Sequence, residues 1–293
     1  MNIAILSRSP QLYSTNRLFE EGVKRGHNVE IIDPLKCDIL IEKEKPTIYY
    51  KDKCLDYIDA VIPRIGASIT FYGCAVVRQF EMMGVFTITT SDAIQRSRDK
   101  LRSLQRLSKV DIGMPKTIFT NHYRDVEEVI SHIECPVVIK LLEGTQGLGV
   151  VLAETKSVAK SMLEAFNGLQ AKVMVQEFIK ESRGTDLRAL VVDGQLVGAM
   201  KRQAEQGEFR SNLHRGGSAK MIKLNHEELK LATQAARVLN LPVCGVDMLQ
   251  SHRGPLLLEV NSTPGLEGIE TATGRNIAKA IIKFVEKNKS YVR

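Results

Sequence analysis

Strand-like and helix-like segments alternate along the first 95 residues, and this order limits the fold more than any other feature of the chain. Apolar runs typical of strands and amphipathic segments typical of helices follow one another at residues 2–6, 12–25, 29–32, 60–63, 69–83 and 85–88. Strands separated by helices favour a parallel sheet that is covered on both faces. The sequence therefore predicts an N-terminal α/β domain, with a small hairpin at residues 49–55 inserted in it.

The rest of the chain predicts two further domains. Two basic helical segments come first, strand and helix signals then alternate again, and the run 173–178 is interpreted as the connection to the last domain. In that domain, Asp193-Gly194 between two apolar runs is a strong hairpin signal. With 293 residues, 43% of them apolar, the chain is long enough for three small domains. They are expected at residues 1–95, 96–177 and 178–293.

Composition indicates a globular protein that handles anionic ligands. The net charge is +7, and basic residues are dense in one short segment that contains Arg96, Arg98, Lys100, Arg102 and Arg106. Nucleotides or acidic peptides suit such a charge. Nucleic acid is an open alternative, but no direct readout is expected, because aromatic residues make up only 5% of the chain and no basic segment is interleaved with them. The five cysteines lack metal-type spacing, and their odd number argues against a disulfide framework. A reducing cytosol is therefore expected, with neither a leader nor a membrane span.

Two apolar runs near the C-terminus carry oxygen-bearing side chains. Residues 241–249 and 256–260 flank a polar turn and predict a β-hairpin with Asp247 opposite Glu259, while Asn261 shares the face of Glu259. Like charges placed opposite each other in apolar strands repel unless a positive group lies between them, so a cation is expected there. Removal of either charge is expected to relieve this repulsion in the hairpin. Two carboxylates and an amide oxygen suit Mg²⁺ or Mn²⁺ that holds a nucleotide. The alternative is the solvated face of an exposed hairpin.

A glycine-rich segment follows a lysine-bearing strand in the middle of the chain. The apolar run 137–140 ends at Lys140, and three glycines stand within residues 144–149. Glycines let a backbone fold closely around an anion and present its N–H groups, and the lysine adds a positive charge. Residues 143–149 are therefore a candidate lid over a triphosphate. The alternative is a mobile hairpin that binds nothing.

Three further segments carry candidate contacts to a nucleotide or a carboxylate. Glu177 and Phe178 end a strand, where backbone groups and an aromatic ring can meet a purine. Asp186 and Arg188 share one face of the next strand and suit a ribose or phosphate contact. Beyond them, guanidinium groups suit carboxylate or phosphate capture. The residues of this basic segment are Arg202, Arg210, Ser211, Asn212 and Arg215. The alternatives are an ordinary edge strand, a surface ion pair and a solvated basic loop.

In this order, the elements resemble the ATP-grasp superfamily, and most closely its RimK-type branch of α-L-glutamate ligases, which add glutamate to the C-terminus of a small-subunit ribosomal protein. The resemblance covers almost the whole chain. The runs that carry it are 62–66, 70–73, 78–81, 98–100, 143–149, 209–217 and 259–270. It implies an α/β and α+β ATP-grasp fold, in which an N-terminal Rossmann-like parallel-sheet domain precedes two ATP-grasp α+β domains that enclose the nucleotide.

The resemblance also implies a role for each candidate residue. Lys100 and Lys140 would contact the phosphates of ATP, Glu177 and Phe178 the adenine, and Asp186 the ribose. The nucleotide and the acceptor would be contacted by Arg210, Ser211 and Asn212. Two Mg²⁺ or Mn²⁺ ions would be bound by Asp247, Glu259 and Asn261. The catalytic residues would be Lys140, Arg210 and Asn212. The acidic acceptor and the incoming L-glutamate would be held by Arg64, Arg202 and Arg215.

The reaction expected from this resemblance is ATP-dependent amide formation. The acceptor carboxylate would become an acyl phosphate that the amine of L-glutamate attacks, so no nucleophilic side chain is required. The expected acceptor is the C-terminal glutamate of a small-subunit ribosomal protein, and the expected assembly is a homo-oligomer, either a dimer or a tetramer. One alternative is a ligase that glutamylates a small cofactor or a carrier protein. A second is a non-catalytic protein that binds RNA or the ribosome.

Overall fold

The computed structural model describes residues 1–119, 126–142, 149–182, 184–205, 207–211 and 216–288. These residues form three principal sheets and one small sheet, with helices packed against them. In this described part of the chain, no helix combines the length and the apolar character needed to span a bilayer.

The first sheet confirms the predicted parallel arrangement. Its strands pair in the order β2-β1-β6-β7. They are β1 (Asn2–Leu6), β2 (Asn28–Ile32), β6 (Ala60–Pro63) and β7 (Phe86–Thr87). The helices of this part of the chain are α1 (Tyr13–Lys24), α2 (Thr70–Met82) and α3 (Ser91–Arg98). Ile3, Ala4 and Ile5 of β1 are all fully buried, as expected for a central strand covered on both faces.

A small antiparallel sheet is larger than the predicted hairpin. Strands β4 (Thr47–Tyr50) and β5 (Lys53–Cys54) form that hairpin, and β3 (Cys37–Leu40) adds a third strand to it. The sequence does not reveal β3 because it is short, carries a charge at Asp38 and ends at a half-exposed leucine. Pairing with β4 is what makes this segment a strand.

The second principal sheet is antiparallel and has a core of its own. After helix α4 (Lys100–Leu107), its strands pair in the order β10-β9-β11-β8. They are β8 (Thr117–Phe119), β9 (Val137–Leu141), β10 (Val150–Ala153) and β11 (Val173–Glu177), accompanied by helices α5 (Val126–Ser131) and α6 (Lys156–Gly168). Ile139, Leu163 and Val175 belong to one buried cluster that contains no residue of the other two principal sheets. We call this unit the central sheet.

The third principal sheet, the C-terminal sheet, is a five-stranded antiparallel sheet in the order β14-β13-β12-β15-β16. Its strands are β12 (Thr185–Val192), β13 (Gln195–Gln203), β14 (Ser218–Met221), β15 (Val243–Ser251) and β16 (Gly254–Asn261), and its helices are α7 (His226–Val238), α8 (Glu267–Thr273) and α9 (Ile277–Asn288). The predicted turn at Asp193-Gly194 joins β12 to β13, with φ of +52° and +71°. Such a pair of positive φ angles matches the twist of a two-residue hairpin.

The hairpin β15–β16 is longer than predicted. The polar segment expected as a turn is mostly strand, because pairing continues to Ser251 and Gly254 and leaves His252-Arg253 as the turn. Pro255 is tolerated within β16 because this strand lies at the edge of the sheet. The register confirms Asp247 opposite Glu259.

The parallel sheet and the C-terminal sheet share one hydrophobic core. Ile5 and Leu18 from the N-terminal part lie in the same buried cluster as Leu190, Ile269 and Ile281. Helix α1 packs against α9 across this boundary. The shared core fixes the loops that follow β6 and β16 relative to each other, which determines the geometry of the site.

Candidate active site on the charged face of the C-terminal sheet

A row of charged side chains crosses four neighbouring strands of the C-terminal sheet. Asp186 of β12 is the cross-strand partner of Arg202 in β13, and Arg188 is the partner of Asp247 in β15. Asp247 is in turn the partner of Glu259 in β16. Directly paired residues lie on one face of a sheet, as do residues two apart along a strand. The predicted common face of Asp186 and Arg188 is therefore confirmed.

Asp247 is the centre of a buried ion-pair network. Arg188 donates from Nε and Nη2 to the two carboxylate oxygens of Asp247, at 2.7 and 2.5 Å. Arg202 donates from Nη2 to Asp247 Oδ2 at 2.9 Å, and from Nε to Asp186 Oδ1 at 2.7 Å. Asp247 is only 2% exposed. Burial alone would raise its pKa, but the two arginines lower that pKa to about 2, so Asp247 is a permanent anion.

This network corrects one inference from the sequence. The repulsion between Asp247 and Glu259 was expected to require a cation between them, yet Arg188 and Arg202 already compensate the charge of Asp247. The repulsion is therefore no argument for a metal ion. The assignment of Asp247, Glu259 and Asn261 as metal ligands remains a prediction that depends on the chemistry of their oxygens.

The oxygens of these three residues fit a hard divalent cation. Glu259 is exposed on its strand, and Asn261 donates from Nδ2 to Glu259 Oε1 at 3.1 Å, which leaves the Asn261 amide oxygen for another partner. A carboxylate has about four acceptor sites, so Asp247 can bind a cation while its arginines hold it in place. Within the described residues, no cluster of three or more His, Cys, Asp or Glu side chains offers an alternative metal site.

The charge of Glu259 acts on two lysines that come from different elements. Lys140 of β9 donates from Nζ to Gln176 Oε1 at 2.5 Å, and Lys100 at the start of α4 donates to the carbonyl oxygen of Leu142 at 2.8 Å. Burial and the charge of Lys100 lower the pKa of Lys140 to about 8, and the negative charge of Glu259 opposes this shift. Burial also lowers the pKa of Lys100, and the negative charge of Glu259 again opposes this shift. An anion bound between these lysines would stabilise their charged forms.

The glycine-rich segment predicted to cover a triphosphate lies mostly outside the described residues, which resume at Gly149. The strands that flank it are described, and Val150 of β10 pairs with Lys140 of β9. At Gly149, φ is +70° and an added Cβ would lie 2.3 Å from Leu141 Cδ1. Only glycine suits this close turn, so the sequence here is adapted to a tight backbone path next to Lys140.

Glu177 and Phe178 end the central sheet beside the tip of the β15–β16 hairpin. Glu177 Oε2 accepts a hydrogen bond from the Lys116 N–H at 3.0 Å, and the carboxylate also pairs with Arg253 in the hairpin turn. Burial raises the pKa of Glu177, but the hydrogen bonds from Arg253 and Lys116 produce a net decrease. Phe178 packs edge-to-face against Phe209 with 6.2 Å between ring centroids. The predicted adenine contact at these residues remains a prediction.

The basic segment after β13 reaches the central sheet through Arg210. This side chain pairs with Glu208, with Nε and Nη2 at 2.9 and 2.6 Å from the carboxylate oxygens, and its Nη1 donates to the carbonyl oxygen of Val150 at 3.3 Å. The hydrogen bond from Arg210 lowers the pKa of Glu208 to about 2. The segment therefore adjoins the strand that follows the glycine-rich residues. Ser211 is described and half-buried, whereas the predicted contacts Asn212 and Arg215 lie outside the described residues.

Two arginines differ from the sequence-based expectations. Arg202 was predicted to hold a substrate carboxylate, but it is 5% exposed and bound to Asp186 and Asp247. Asp186 was expected to contact a ribose, but both of its carboxylate oxygens accept hydrogen bonds from Arg202. The pKa of Asp186 is raised, because the effect of burial exceeds the effect of Arg202. Arg188 was identified only as part of a ribose or phosphate contact. Its pairing with Asp247 could not be read from a local pattern, because 59 residues separate the two.

Gln176 was also missed as a site residue. It is buried, accepts the hydrogen bond from Lys140 Nζ, and donates from Nε2 to Thr117 Oγ1 at 2.8 Å. A buried glutamine at the end of an apolar strand is the signal that points to it, because buried amides require hydrogen-bond partners. Its contacts hold the Lys140 ammonium group in position.

Comparison with known proteins identifies the family. A model of the RimK-like ATP-grasp domain matches residues 97–285, and a model of the RimK pre-ATP-grasp domain matches residues 1–94. The "Probable alpha-L-glutamate ligase 1" of Hahella chejuensis is 61% identical over 288 residues, 98% of this chain and 95% of that protein. The "Probable alpha-L-glutamate ligase" of Teredinibacter turnerae is 60% identical over 289 residues, 98% of this chain and 96% of that protein.

Solved structures show the same fold at lower identity. The RimK domain ATP-grasp protein of Sphaerobacter thermophilus matches with a TM-score of 0.72 and 22% identity, covering 98% of this chain and 100% of that one. The ATP-grasp ligase PsnB in complex with its minimal precursor matches with a TM-score of 0.78 and 18% identity, covering 98% of both chains. With two family models that together span almost the whole sequence, the chain belongs to the RimK-like ATP-grasp family and is an ATP-grasp ligase.

Proposed function

We propose that this chain is an ATP-dependent α-L-glutamate ligase that activates an acceptor carboxylate as an acyl phosphate and joins it to the amine of L-glutamate. The observation that carries the proposal is that the charge of Glu259, the cross-strand partner of the buried Asp247, acts on both Lys100 and Lys140. Buried cations beside hard carboxylate ligands suit a nucleotide triphosphate. The names of the relatives at about 60% identity support glutamate as the substrate.

Lys140 and Lys100 bind the phosphates of ATP in this proposal. Both ammonium groups are partly desolvated, so each gains more from an added anion than an exposed lysine would. Gln176 holds the ammonium group of Lys140 at 2.5 Å, and this restricts it to one geometry. A preorganised cation stabilises the charge that develops on the transferring phosphoryl group without reorganisation. Arg210 and Asn212 would contribute further donors from the basic segment.

Asp247, Glu259 and Asn261 would hold two Mg²⁺ or Mn²⁺ ions. When bound, such ions neutralise the phosphate oxygens and align the transferring group with the acceptor carboxylate. Arg188 and Arg202 keep Asp247 ionised and fix its orientation, as partners of metal-binding carboxylates do. Glu177, Phe178 and Ser211 complete the proposed nucleotide contacts.

The acceptor in this proposal is the acidic C-terminus of a small-subunit ribosomal protein, extended by one or more glutamates. Arg64 and Arg215 are the arginines left to recognise it, because Arg202 is occupied by Asp186 and Asp247. We further propose domains at residues 1–95, 96–177 and 178–293, a homo-oligomeric assembly, and a cytosolic location. The five free cysteines support this location.

The test supplies ATP, Mg²⁺ and isotopically labelled glutamate to the purified protein together with a peptide that ends in glutamate. We expect the mass of the peptide to increase only when ATP is present. The same peptide with an amidated C-terminus and non-carboxylate side chains should show no mass increase. Transfer of label to a small cofactor or a carrier protein, with none to the peptide, would replace the acceptor assignment. Absence of ATP consumption with every acceptor would refute the function.

A further inference from the structure

Two arginines meet at the loop that follows β16. Arg64 comes directly after β6 and donates from Nη2 to the carbonyl oxygen of Pro264 at 2.9 Å. Arg98 ends α3 and donates from Nη2 to the carbonyl oxygen of Ile65 at 2.7 Å and to Thr263 Oγ1 at 2.8 Å. The end of β6, the end of α3 and residues 263–264 therefore bring two guanidinium groups together. We call Arg64 and Arg98 the arginine pair.

The arginine pair has no carboxylate partner among the described residues. Its contacts among these residues are with neutral carbonyl and hydroxyl oxygens, in contrast to Arg188, Arg202 and Arg210, which all form ion pairs. The Nε atom of Arg98 is buried and has no hydrogen-bond partner in the described part of the chain. Burial and the charge of Arg98 lower the pKa of Arg64 to about 10. Such a pair is electrostatically unfavourable unless an anion binds to it.

The position of the arginine pair separates it from the phosphate-binding lysines. Arg98 ends α3 and Lys100 begins α4, yet Arg98 turns towards the loop after β6 while Lys100 turns towards Leu142 beside the central sheet. The charge of Glu259 acts on both, so both lie around the same proposed reaction centre. An anion on the arginine pair would therefore lie beside the reacting groups, on the side of the parallel sheet.

We propose that Arg64 and Arg98 together bind the side-chain carboxylate of a glutamyl substrate, which does not react. This inference rests on the proposed function, in which each substrate is a glutamate or ends in one. Only the α-carboxylate of the acceptor forms the acyl phosphate, so the side-chain carboxylates of the acceptor and of the incoming glutamate both remain unchanged. Planar guanidinium groups bind a carboxylate specifically, because their paired N–H groups donate hydrogen bonds to its two oxygens. Binding of the unreactive carboxylate selects a glutamyl substrate and sets which group reaches the phosphate.

The test measures preference for glutamate over glutamine in two arms. One arm varies the free amino acid, and the other varies the last residue of the acceptor peptide. Arg64→Lys and Arg98→Lys keep the positive charge but lose the bidentate donors. In one arm, we expect each variant to reduce the ratio of kcat/KM for glutamate to kcat/KM for glutamine at least about tenfold relative to wild type. The KM for ATP should stay unchanged, because only a carboxylate contact has been weakened. The arm that responds identifies the substrate whose carboxylate is bound.

Arg106→Lys is the matched control, because Arg106 is an exposed arginine of α4 and the substitution is the same. It should leave both preferences and the KM for ATP at wild-type values. If Arg64→Lys and Arg98→Lys reduce kcat/KM equally for glutamate and glutamine substrates in both arms, the pair only supports the structure and the inference is wrong. If the wild-type protein ligates no glutamate, the proposed function fails and this inference fails with it, which is a distinct result.

Discussion

At the scale of single residues, the site depends on which charges are compensated and which are left for a ligand. Asp247 is neutralised by Arg188 and Arg202, whereas Glu259 lies exposed on the edge strand and, among the described residues, accepts a hydrogen bond from Asn261 alone. Lys140 is held by a neutral glutamine. The anions and cations of this site therefore respond differently to substitution, although the sequence presents them as similar.

Asp247→Asn is expected to reduce both activity and stability. It removes a proposed metal ligand and leaves two buried arginines with one fewer anionic partner, which costs about 3 kcal/mol of unfolding free energy. Chemical denaturation measures the cost, and ligation at limiting Mg²⁺ measures the activity. Because Arg188 and Arg202 already compensate this charge, this prediction replaces the expectation that its removal relieves repulsion in the hairpin.

Glu259→Gln is the matched substitution at the opposite position of the hairpin. Because Glu259 is exposed, its unfolding free energy should stay within about 0.5 kcal/mol of wild type while ligation is lost. Wild-type turnover by this variant at limiting Mg²⁺ would refute the metal assignment. Equal stability of Asp247→Asn and wild type would refute the compensation by Arg188 and Arg202.

ATP binding is expected to weaken at alkaline pH through Lys140. Its pKa in the free protein is about 8, and phosphate favours the charged amine, so ATP affinity should fall about tenfold between pH 7 and pH 9. The same low pKa means that the unfolded chain binds more protons between pH 8 and about 10.4, so the ligand-free protein gains stability as pH rises through that range. Calorimetric titration of ATP at both pH values tests the first effect.

Lys140→Arg provides the control, because guanidinium remains charged throughout this range. Its ATP affinity should be nearly the same at pH 7 and pH 9. An equal pH dependence in this variant and in wild type would assign the effect to another group.

At the scale of elements, the β15–β16 hairpin is held by contacts beyond its own sheet. The Leu257 N–H donates to the carbonyl oxygen of Gly113 at 2.8 Å, and Arg253 in the turn pairs with Glu177 at the end of β11. The first contact is backbone to backbone and requires close approach. The second is half-exposed and contributes about 0–1 kcal/mol.

Gly113→Ala is expected to destabilise the protein, because the added Cβ would lie 2.7 Å from the carbonyl oxygen of Pro255. Backbone atoms of a paired strand cannot move away cheaply, so we expect a loss of about 1–3 kcal/mol. Gly168→Ala is the matched control, since no atom lies within 4 Å of its added Cβ. Denaturation curves of the two variants should differ clearly, and coincident curves would contradict the close packing at Gly113.

At the scale of the whole molecule, one of the four buried clusters among the described residues joins the two ends of the chain, and another belongs to the central sheet alone. The parallel sheet and the C-terminal sheet share one core, to which Leu18 and Ile281 both belong, while the central sheet has its own core around Leu163. Carboxylates also join the first and last parts of the chain. Glu270, which is buried, accepts hydrogen bonds from Tyr13 Oη at 2.9 Å and Arg17 Nε at 3.1 Å. The molecule is therefore built as one large unit and one smaller unit.

Leu18→Ala and Leu163→Ala compare the two cores with the same substitution at fully buried sites. Each should cost about 2–5 kcal/mol, but hydrogen exchange should separate them. Leu18→Ala is expected to lower protection in β1 and also in β12 and β15, whereas Leu163→Ala should act on the central sheet alone. Protection changes confined to the parallel sheet after Leu18→Ala would contradict a shared core.

The sequence by itself determined the local structure of this protein. The alternation of strands and helices, the Asp193-Gly194 turn and the pairing of Asp247 with Glu259 all follow from periodicity and turn chemistry. Each of these features depends on residues close together in the chain, so a short pattern contains the information. The order of elements was sufficient for the fold class, and the sequence runs that carry the resemblance were sufficient for the family.

The tertiary structure alone decided the partners of the charged residues. Arg188 and Arg202 meet Asp247 across 59 and 45 residues of sequence, and Arg98 meets Thr263 across 165. No local rule states which strand lies beside which or which loop closes over another, because these neighbours are set by burial of the shared core. The sequence therefore revealed which charges the site contains, while the fold decided which of them neutralise each other and which remain for a ligand.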